Sequence, residues 1–227
     1  MSAQAVIDVA RAYLGVTEDP PGSNRTIFGA EYGLDGQPWC VMFLWYCFVH
    51  AGERMAFFGG ARTASCSILL RWYREQGLTV PVEDVQTGDI VLMNFHGGKD
   101  PEHCGLVVDT ENIVSKDGTY DRYKRVMTVE GNTTPGEEGS QDNGGCVALK
   151  RRYPNQIVAV CRPQYQPEPV TVDDWSNHHA ADAIRWGIEM GLIQGYPDGS
   201  MRPDEPMPMW RALTILKRYH ERMEESK

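Results

Sequence analysis

The chain has no apolar run long enough to cross a bilayer. Its most apolar stretch, Cys40–Val49, is half the roughly 20 residues that a membrane helix needs. An excess of positive charge is also missing. Against 22 Lys and Arg stand 31 Asp and Glu, for a formal charge of −9. Residues 1–166 hold 20 acidic and 15 basic side chains and residues 167–227 hold 11 and 7, so the acidity is not confined to a tail. This excludes the basic footprint of a nucleic-acid binder and any simple charge attraction to an anionic polymer. The start, Met1-Ser2-Ala3-Gln4, lacks the charged and apolar regions of a signal peptide, so none is expected. The six cysteines (Cys40, Cys47, Cys66, Cys104, Cys146 and Cys161) lack the paired C-x-x-C spacing of a zinc knuckle. Without a secretion signal they are expected to be thiols, not bridges. No membrane or nucleic-acid partner, no metal and no cofactor is expected.

At 227 residues the length suits one large or two unequal domains. Ala5, Val6, Val9, Ala10, Tyr13 and Leu14 recur at helical spacing, and Gly15 ends that run. A loop at Pro20-Pro21-Gly22-Ser23-Asn24 precedes a helix from Cys40 to Gly52. A further helix runs from Ser65, its cap, to Gln76 before Gly77. The texture then changes. After a turn at Thr87-Gly88-Asp89, strands are expected at Ile90–Met93, His103–Asp109, Val126–Glu130, Cys146–Leu149 and Ile157–Cys161. Helices followed by strands predict an α+β domain with an antiparallel sheet over residues 1–165. Pro163, Pro167 and Pro169 mark a stiff linker. Residues 166–227 read as a small all-α domain: helices at Ala180–Met190 and Pro208–Glu225 flank a tight turn at Gly195-Tyr196-Pro197-Asp198-Gly199. So short a segment needs help from the first domain or from another chain.

Within the first domain, Gly36-Gln37-Pro38-Trp39-Cys40 puts a cysteine where a turn becomes a buried helix. Unpaired N–H groups and the positive helix end favour thiolate there, the form that attacks carbonyls. Such a nucleophile needs a base and an orienting group. His103 opens the strand His103-Cys104-Gly105-Leu106-Val107-Val108. By alternation it shares a face with Gly105, which leaves room beside the ring, while Cys104, Leu106 and Val108 face the core. His96 lies in a Gly-rich loop without such support. If the strand through Val129-Glu130-Gly131-Asn132 stays extended, Glu130 and Asn132 project to one side, and either can orient the imidazole.

These motifs, in this order, resemble the CHAP family, the cysteine- and histidine-dependent amidohydrolases/peptidases of papain-like, NlpC/P60 type. Gly36–Cys40 resembles the nucleophile segment, Thr87-Gly88-Asp89-Ile90 the Gly-Asp strand entry, His103–Val107 the His-x-Gly strand, and Glu130-Gly131-Asn132 the Glu-Gly-Asn motif. The resemblance implies Cys40 as nucleophile, His103 as general base, and Glu130 and Asn132 as orienting groups. The Cys40 N–H is the natural oxyanion donor, with Gln37 as its partner and Trp39 as packing or cleft wall. Some relatives bind calcium near the nucleophile, but here the preceding loop offers only Glu31 and Asp35, and no metal is expected. Cys47, Cys66, Cys104, Cys146 and Cys161 read as inert core, and Lys150-Arg151-Arg152 as a solvated strand end.

Residues 173–216 resemble one S-layer homology motif, a cell-wall-binding repeat, through Ala180–Ile188 and Gly191–Pro203. Met209 stands where the family's arginine grips anionic wall polysaccharide, with Arg211 two residues on. The family uses three repeats, so a single one implies packing on the first domain or a homo-oligomer through this domain. Together the resemblances imply a peptidoglycan hydrolase of endolysin or autolysin type, an N-acetylmuramoyl-L-alanine amidase or a peptide endopeptidase. Its partners would be peptidoglycan and secondary wall polysaccharide. It would be made in a host cytoplasm and act at the wall. The competing expectations are a non-catalytic wall-binding protein with a relic cleft and an intracellular cysteine peptidase or deamidase.

Overall fold

The computed structural model describes residues 2–114, 120–136, 144–166, 173–196 and 200–225. The chain divides into two compact units, residues 1–166 and 167–227.

The first unit opens with α1 (Ala3–Ala12), which buries Val6, Ile7 and Ala10. A short α2 (Ile27–Tyr32) is capped by Thr26, whose Oγ1 accepts the Gly29 N–H. The sequence pattern assigned nothing to α2; six residues are too few to show a period. Next is α3 (Cys40–His50), every residue of which from Cys40 to Phe48 is buried. A helix apolar on all sides belongs at the centre of a core, and α3 touches α1, α2 and two central strands. Gly52, at φ 76°, follows its C-terminus. The fourth helix, α4 (Cys66–Glu75), is capped by Ser65, whose Oγ accepts the Ile68 N–H, and faces Leu69, Leu70 and Tyr73 inward.

Six strands follow: β1 (Thr79–Val80), β2 (Ile90–Met93), β3 (His103–Val114), β4 (Tyr120–Thr133), β5 (Cys146–Arg152) and β6 (Ile157–Cys161). They form one sheet of order β1-β6-β2-β3-β4-β5, antiparallel throughout. The expected α+β class is therefore observed. Ile90, Leu92, Cys104, Leu106 and Val129 join the helix-side core, while Val91, Met93, Val107, Val126 and Val160 pack a second cluster. Strands β3 and β4 outrun the expected His103–Asp109 and Val126–Glu130. Their outer halves are charged, and hydrophobicity alone does not mark them. Glu111 and Arg125 face each other in register and pair at 3.2 Å.

Gly131 is where α3 meets β4. A Cβ there would stand 2.6 Å from Phe43 Cβ and 2.8 Å from Trp39 Cζ3. Both neighbours are fully buried, so neither can yield. Gly131→Ala is expected to destabilise the unit by about 1–3 kcal/mol. A lowered urea midpoint at constant m would show it; an unchanged midpoint would mean that the helix–sheet contact is slack.

The second unit holds α5 (Ala181–Glu189) and α6 (Met209–Glu225). Gly187 is buried beneath Ile193, and Leu192 is 2 % exposed. Asp174 ties the segment after the turn to the start of the unit, accepting the N–H groups of Met201 and Arg202 at 2.8 Å each. Along α6, Trp210, Leu213, Leu216, Tyr219 and Met223 are exposed. Pro167 and Pro169 of the expected linker, and Pro197, Asp198 and Gly199 of the expected turn, lie outside the described residues.

Candidate active site

Cys40 is the first residue of α3, and Trp39 before it gives the helix no side-chain cap. The Cys40 sulfur therefore sits by first-turn N–H groups that no Trp39 side chain satisfies. His103 is the first residue of β3 and is 1 % exposed. Its Nε2 lies 2.9 Å from Glu130 Oε2, and the Cys40 sulfur beside the ring helps to hold its proton. With Nε2 engaged by Glu130, the nitrogen left for Cys40 is Nδ1. Cys40, His103 and Glu130 thus form a continuous line.

Glu130 is fully buried, and every donor around it is accounted for. Arg152 grips it through Nε to Oε1 at 2.8 Å and Nη2 to Oε2 at 2.5 Å. Thr128 Oγ1 donates to Oε1 at 2.6 Å. The Arg152 guanidinium lies over the Phe95 ring at 4.7 Å. Arg152 was expected at a solvated strand end, yet it is 1 % exposed, and Lys150 is fully buried with Nζ donating to Thr134 and Gly136. The basic run is corrected accordingly: two of its three cations are buried and hydrogen-bonded. Only the pairing of β4 with β5 brings Arg152 to Glu130.

The strand alternation explains Gly105. A Cβ at Gly105 would meet Glu130 Cγ at 2.8 Å and Thr128 Cβ at 3.0 Å. The room beside His103 is filled by the carboxylate that holds its ring. Asn132 departs from the reading. The register of β4 against β5 shifts between Glu130 and Thr133, and Asn132 has φ 56°. The condition of an extended strand fails, and Asn132 makes no hydrogen bond to His103. Its buried Oδ1 has no partner among the described residues.

The charges follow from this geometry. Burial alone would raise the Glu130 carboxyl, but Arg152 and His103 override it and hold it down at about 2. Burial alone would lower the His103 imidazole, but the Glu130 carboxylate and then Cys40 hold it up at about 9. Hydrogen bonds from Cys104 and Cys66, and then from His103, pull the Cys40 thiol well below its usual range. These shifts favour a thiolate–imidazolium pair, backed by the Glu130–Arg152 ion pair. Burial drives Cys47 well up and Cys161 to about 12, so neither competes as a nucleophile at neutral pH.

Of the two readings of Trp39, packing is the one observed. Its ring is fully buried, stacks on Phe28 at 5.4 Å, and donates Nε1–H to Glu18 at 3.0 Å. Gln37 is exposed. The two loop carboxylates do not converge: Asp35 accepts the Thr26 N–H and Glu31 pairs with His50. His96 is bound to Glu102 at 3.0 Å on the surface. A cavity of about 640 Å³ between Leu14–Pro21 and Gly144–Leu149 is not lined by Cys40 or His103. It meets the site only through Glu18 and its bond to Trp39. Cys66 and Cys104 lie in the core, as expected, and there they stand against Cys40. The three sulfurs stand within 4.8 Å of one another, and they are the residues here that could hold a metal.

In the second unit, a groove of about 370 Å³ is lined by Tyr196, Arg202, Trp210 and Arg211 among others. The guanidinium of Arg202 lies 4.0 Å over the Tyr196 ring, and Arg211 Nη1 donates to Tyr196 Oη at 2.6 Å. Met209 is 80 % exposed.

Residues 173–207 match the S-layer homology domain. A domain of that kind points to association with the cell wall. No CHAP or NlpC/P60 family model matches the first unit. Neither the curated proteins nor the solved structures contain a match to the chain. No helix among the described residues is long and apolar enough to cross a membrane.

Proposed function

We propose that the first unit is a papain-like cysteine amidase or endopeptidase that cuts an amide bond of peptidoglycan, and that the second holds it on the wall. The observation that carries this is the buried line Cys40–His103–Glu130–Arg152. A relic cleft has no reason to keep a carboxylate with four side-chain hydrogen bonds behind an imidazole that faces a low-pKa thiol.

In this reading the Cys40 thiolate attacks the amide carbonyl carbon. The oxyanion is met by the Cys40 N–H, with Gln37 as the side-chain donor. His103, protonated through Nδ1, gives its proton to the departing amine and leaves a thioester. Neutral His103 then takes a proton from water as the water attacks the thioester, which frees the acid and restores the pair. Glu130 keeps the ring in one orientation throughout. Digestion of purified peptidoglycan by wild type and Cys40→Ala tests the assignment. Equal digestion by the two would move the non-catalytic wall-binding reading ahead.

The groove of the second unit suits an anionic wall polysaccharide, because Arg202 and Arg211 converge on Tyr196 beside Trp210. Arg211 thus supplies the cation absent at Met209. A charge-assisted hydrogen bond contributes about 1.5–3 kcal/mol, so Arg202→Ala with Arg211→Ala is expected to weaken co-sedimentation with intact walls at least about tenfold. Walls stripped of secondary polysaccharide should release wild type equally. Sedimented without walls, the chain is expected to run larger than one copy, because α6 exposes a continuous apolar face. Wall binding unchanged by the double variant would exclude the groove.

A further inference from the structure

Three thiols at the start of three different elements are an unusual thing to bury together. Cys40 begins α3, Cys66 begins α4, and Cys104 is the second residue of β3. The Cys40 and Cys66 sulfurs are 4.0 Å apart, and all three lie within 4.8 Å of one another. The chemistry proposed for Cys40 needs one thiol and one imidazole. Neither Cys66 nor Cys104 makes or breaks a bond in it.

We infer that Cys40, Cys66 and Cys104 form a three-thiolate site for a thiophilic d¹⁰ cation, Zn²⁺, and that this ion masks the nucleophile. Zinc–sulfur bonds of about 2.3 Å in a tetrahedron put sulfurs about 3.8 Å apart. The three sulfurs therefore need to close by less than about 1 Å. His103 stays outside the ligand set, with Nε2 on Glu130 at 2.9 Å, and a solvent molecule completes the tetrahedron. Two helix N-termini, those of α3 and α4, direct positive ends toward a cluster that carries three thiolate charges when metallated. Burial helps as well, since Cys40 and Cys66 are each 7 % exposed and Cys104 not at all.

Ligand formation conserves charge and atoms simply. Each thiol that is still protonated loses its proton to solvent as its sulfur binds the ion, and no electron moves. The ion takes the Cys40 thiolate as a ligand, so the nucleophile is not free to attack an amide. The metal site stands on geometry alone. The masking rests on the hydrolase reading.

The test uses the full chain, reduced, stripped with chelator and kept anaerobic. Co²⁺ is expected to produce a thiolate-to-cobalt charge-transfer band that saturates at one ion per chain and is discharged by one equivalent of Zn²⁺. Cys66→Ala and Cys104→Ala should each weaken Zn²⁺ binding by about 100-fold or more, since even second-shell changes cost 10–100-fold. Cys146→Ala, outside the cluster, should bind as wild type does. A wild-type chain without the band overturns the site whether or not the variants fold, and so does undiminished affinity in folded Cys66→Ala and Cys104→Ala. Binding without any peptidoglycan digestion by the metal-free chain would sustain the site and sink the hydrolase. Digestion by a chain that binds no Co²⁺ would do the reverse.

Discussion

Cys40→Ala is expected to digest peptidoglycan at least about 10⁴-fold more slowly than wild type, because removing the nucleophile of a covalent mechanism leaves only binding and oxyanion stabilisation. The effect should be on turnover and not on wall binding, which belongs to the second unit. Mass spectrometry of the wild-type digest assigns the bond. New L-alanine amino termini on glycan-free peptides identify an amidase. New termini inside the stem or bridge identify an endopeptidase. The fold should survive the substitution. Cys40 is 7 % exposed and loses only a sulfur, and its main-chain place in α3 is secured by Phe43 N–H donating to Trp39 C=O at 2.9 Å. Wild type no faster than Cys40→Ala on several wall types would remove the catalytic reading.

Glu130→Gln should produce the second large effect, on stability and pH dependence together. Arg152 would remain 1 % exposed with its carboxylate gone. Breaking a buried pair from one side costs about 3–5 kcal/mol, so thermal or urea unfolding should shift markedly. The pH effect has a defined sign. In wild type the Glu130 carboxylate holds His103 up at about 9 from an ordinary 6.5. For the metal-free chain, activity is therefore expected to fall as pH rises through about 9, where the imidazolium that protonates the leaving amine is lost. In Glu130→Gln burial acts on His103 without that support, so the alkaline limb should move to lower pH. Alkylation of Cys40 at neutral pH should also slow, since its thiolate loses a cationic neighbour. An unmoved limb would show that Glu130 is structural and does not act through His103.

The same pair sets the stability window of the first unit. Glu130 falls from an ordinary 4.5 to about 2 on folding, so its contribution is present above 4.5 and is lost as pH falls through about 2. His103 rises from 6.5 to about 9, so its contribution is complete below 6.5 and is lost as pH rises through about 9. Both are fully present between 4.5 and 6.5.

Much of this was legible in the chain. The caps and stops of α1, α3 and α4 are local backbone chemistry: Ser65 ahead of a helix, Gly15, Gly52 and Gly77 after one. The α+β class followed from their order. Cys40, His103 and Glu130 were legible because each sits at a position that secondary structure alone defines, a helix start or a strand face. The S-layer homology segment was legible from contiguous residues, as the match at 173–207 bears out. Asn132 was misplaced for a reason no local pattern carries: a register shift turned it out of the extended strand. For Trp39 the sequence left packing and cleft wall open, and it is stacked on Phe28 and bonded to Glu18.

The sequence by itself determined which residues begin helices, which alternate along strands and which carry reactive side chains, since those depend on neighbours a few positions away. Only the tertiary structure decided that Arg152 of β5 would grip Glu130 of β4, that Arg202 and Arg211 would converge on Tyr196, and that the sulfurs of α3, α4 and β3 would meet. Each of those contacts joins residues that lie distant in the chain or on different elements. The fold brings them together because the apolar faces of its helices and sheet must share one core, and no spacing along the chain encodes which polar groups that burial will carry inward with them.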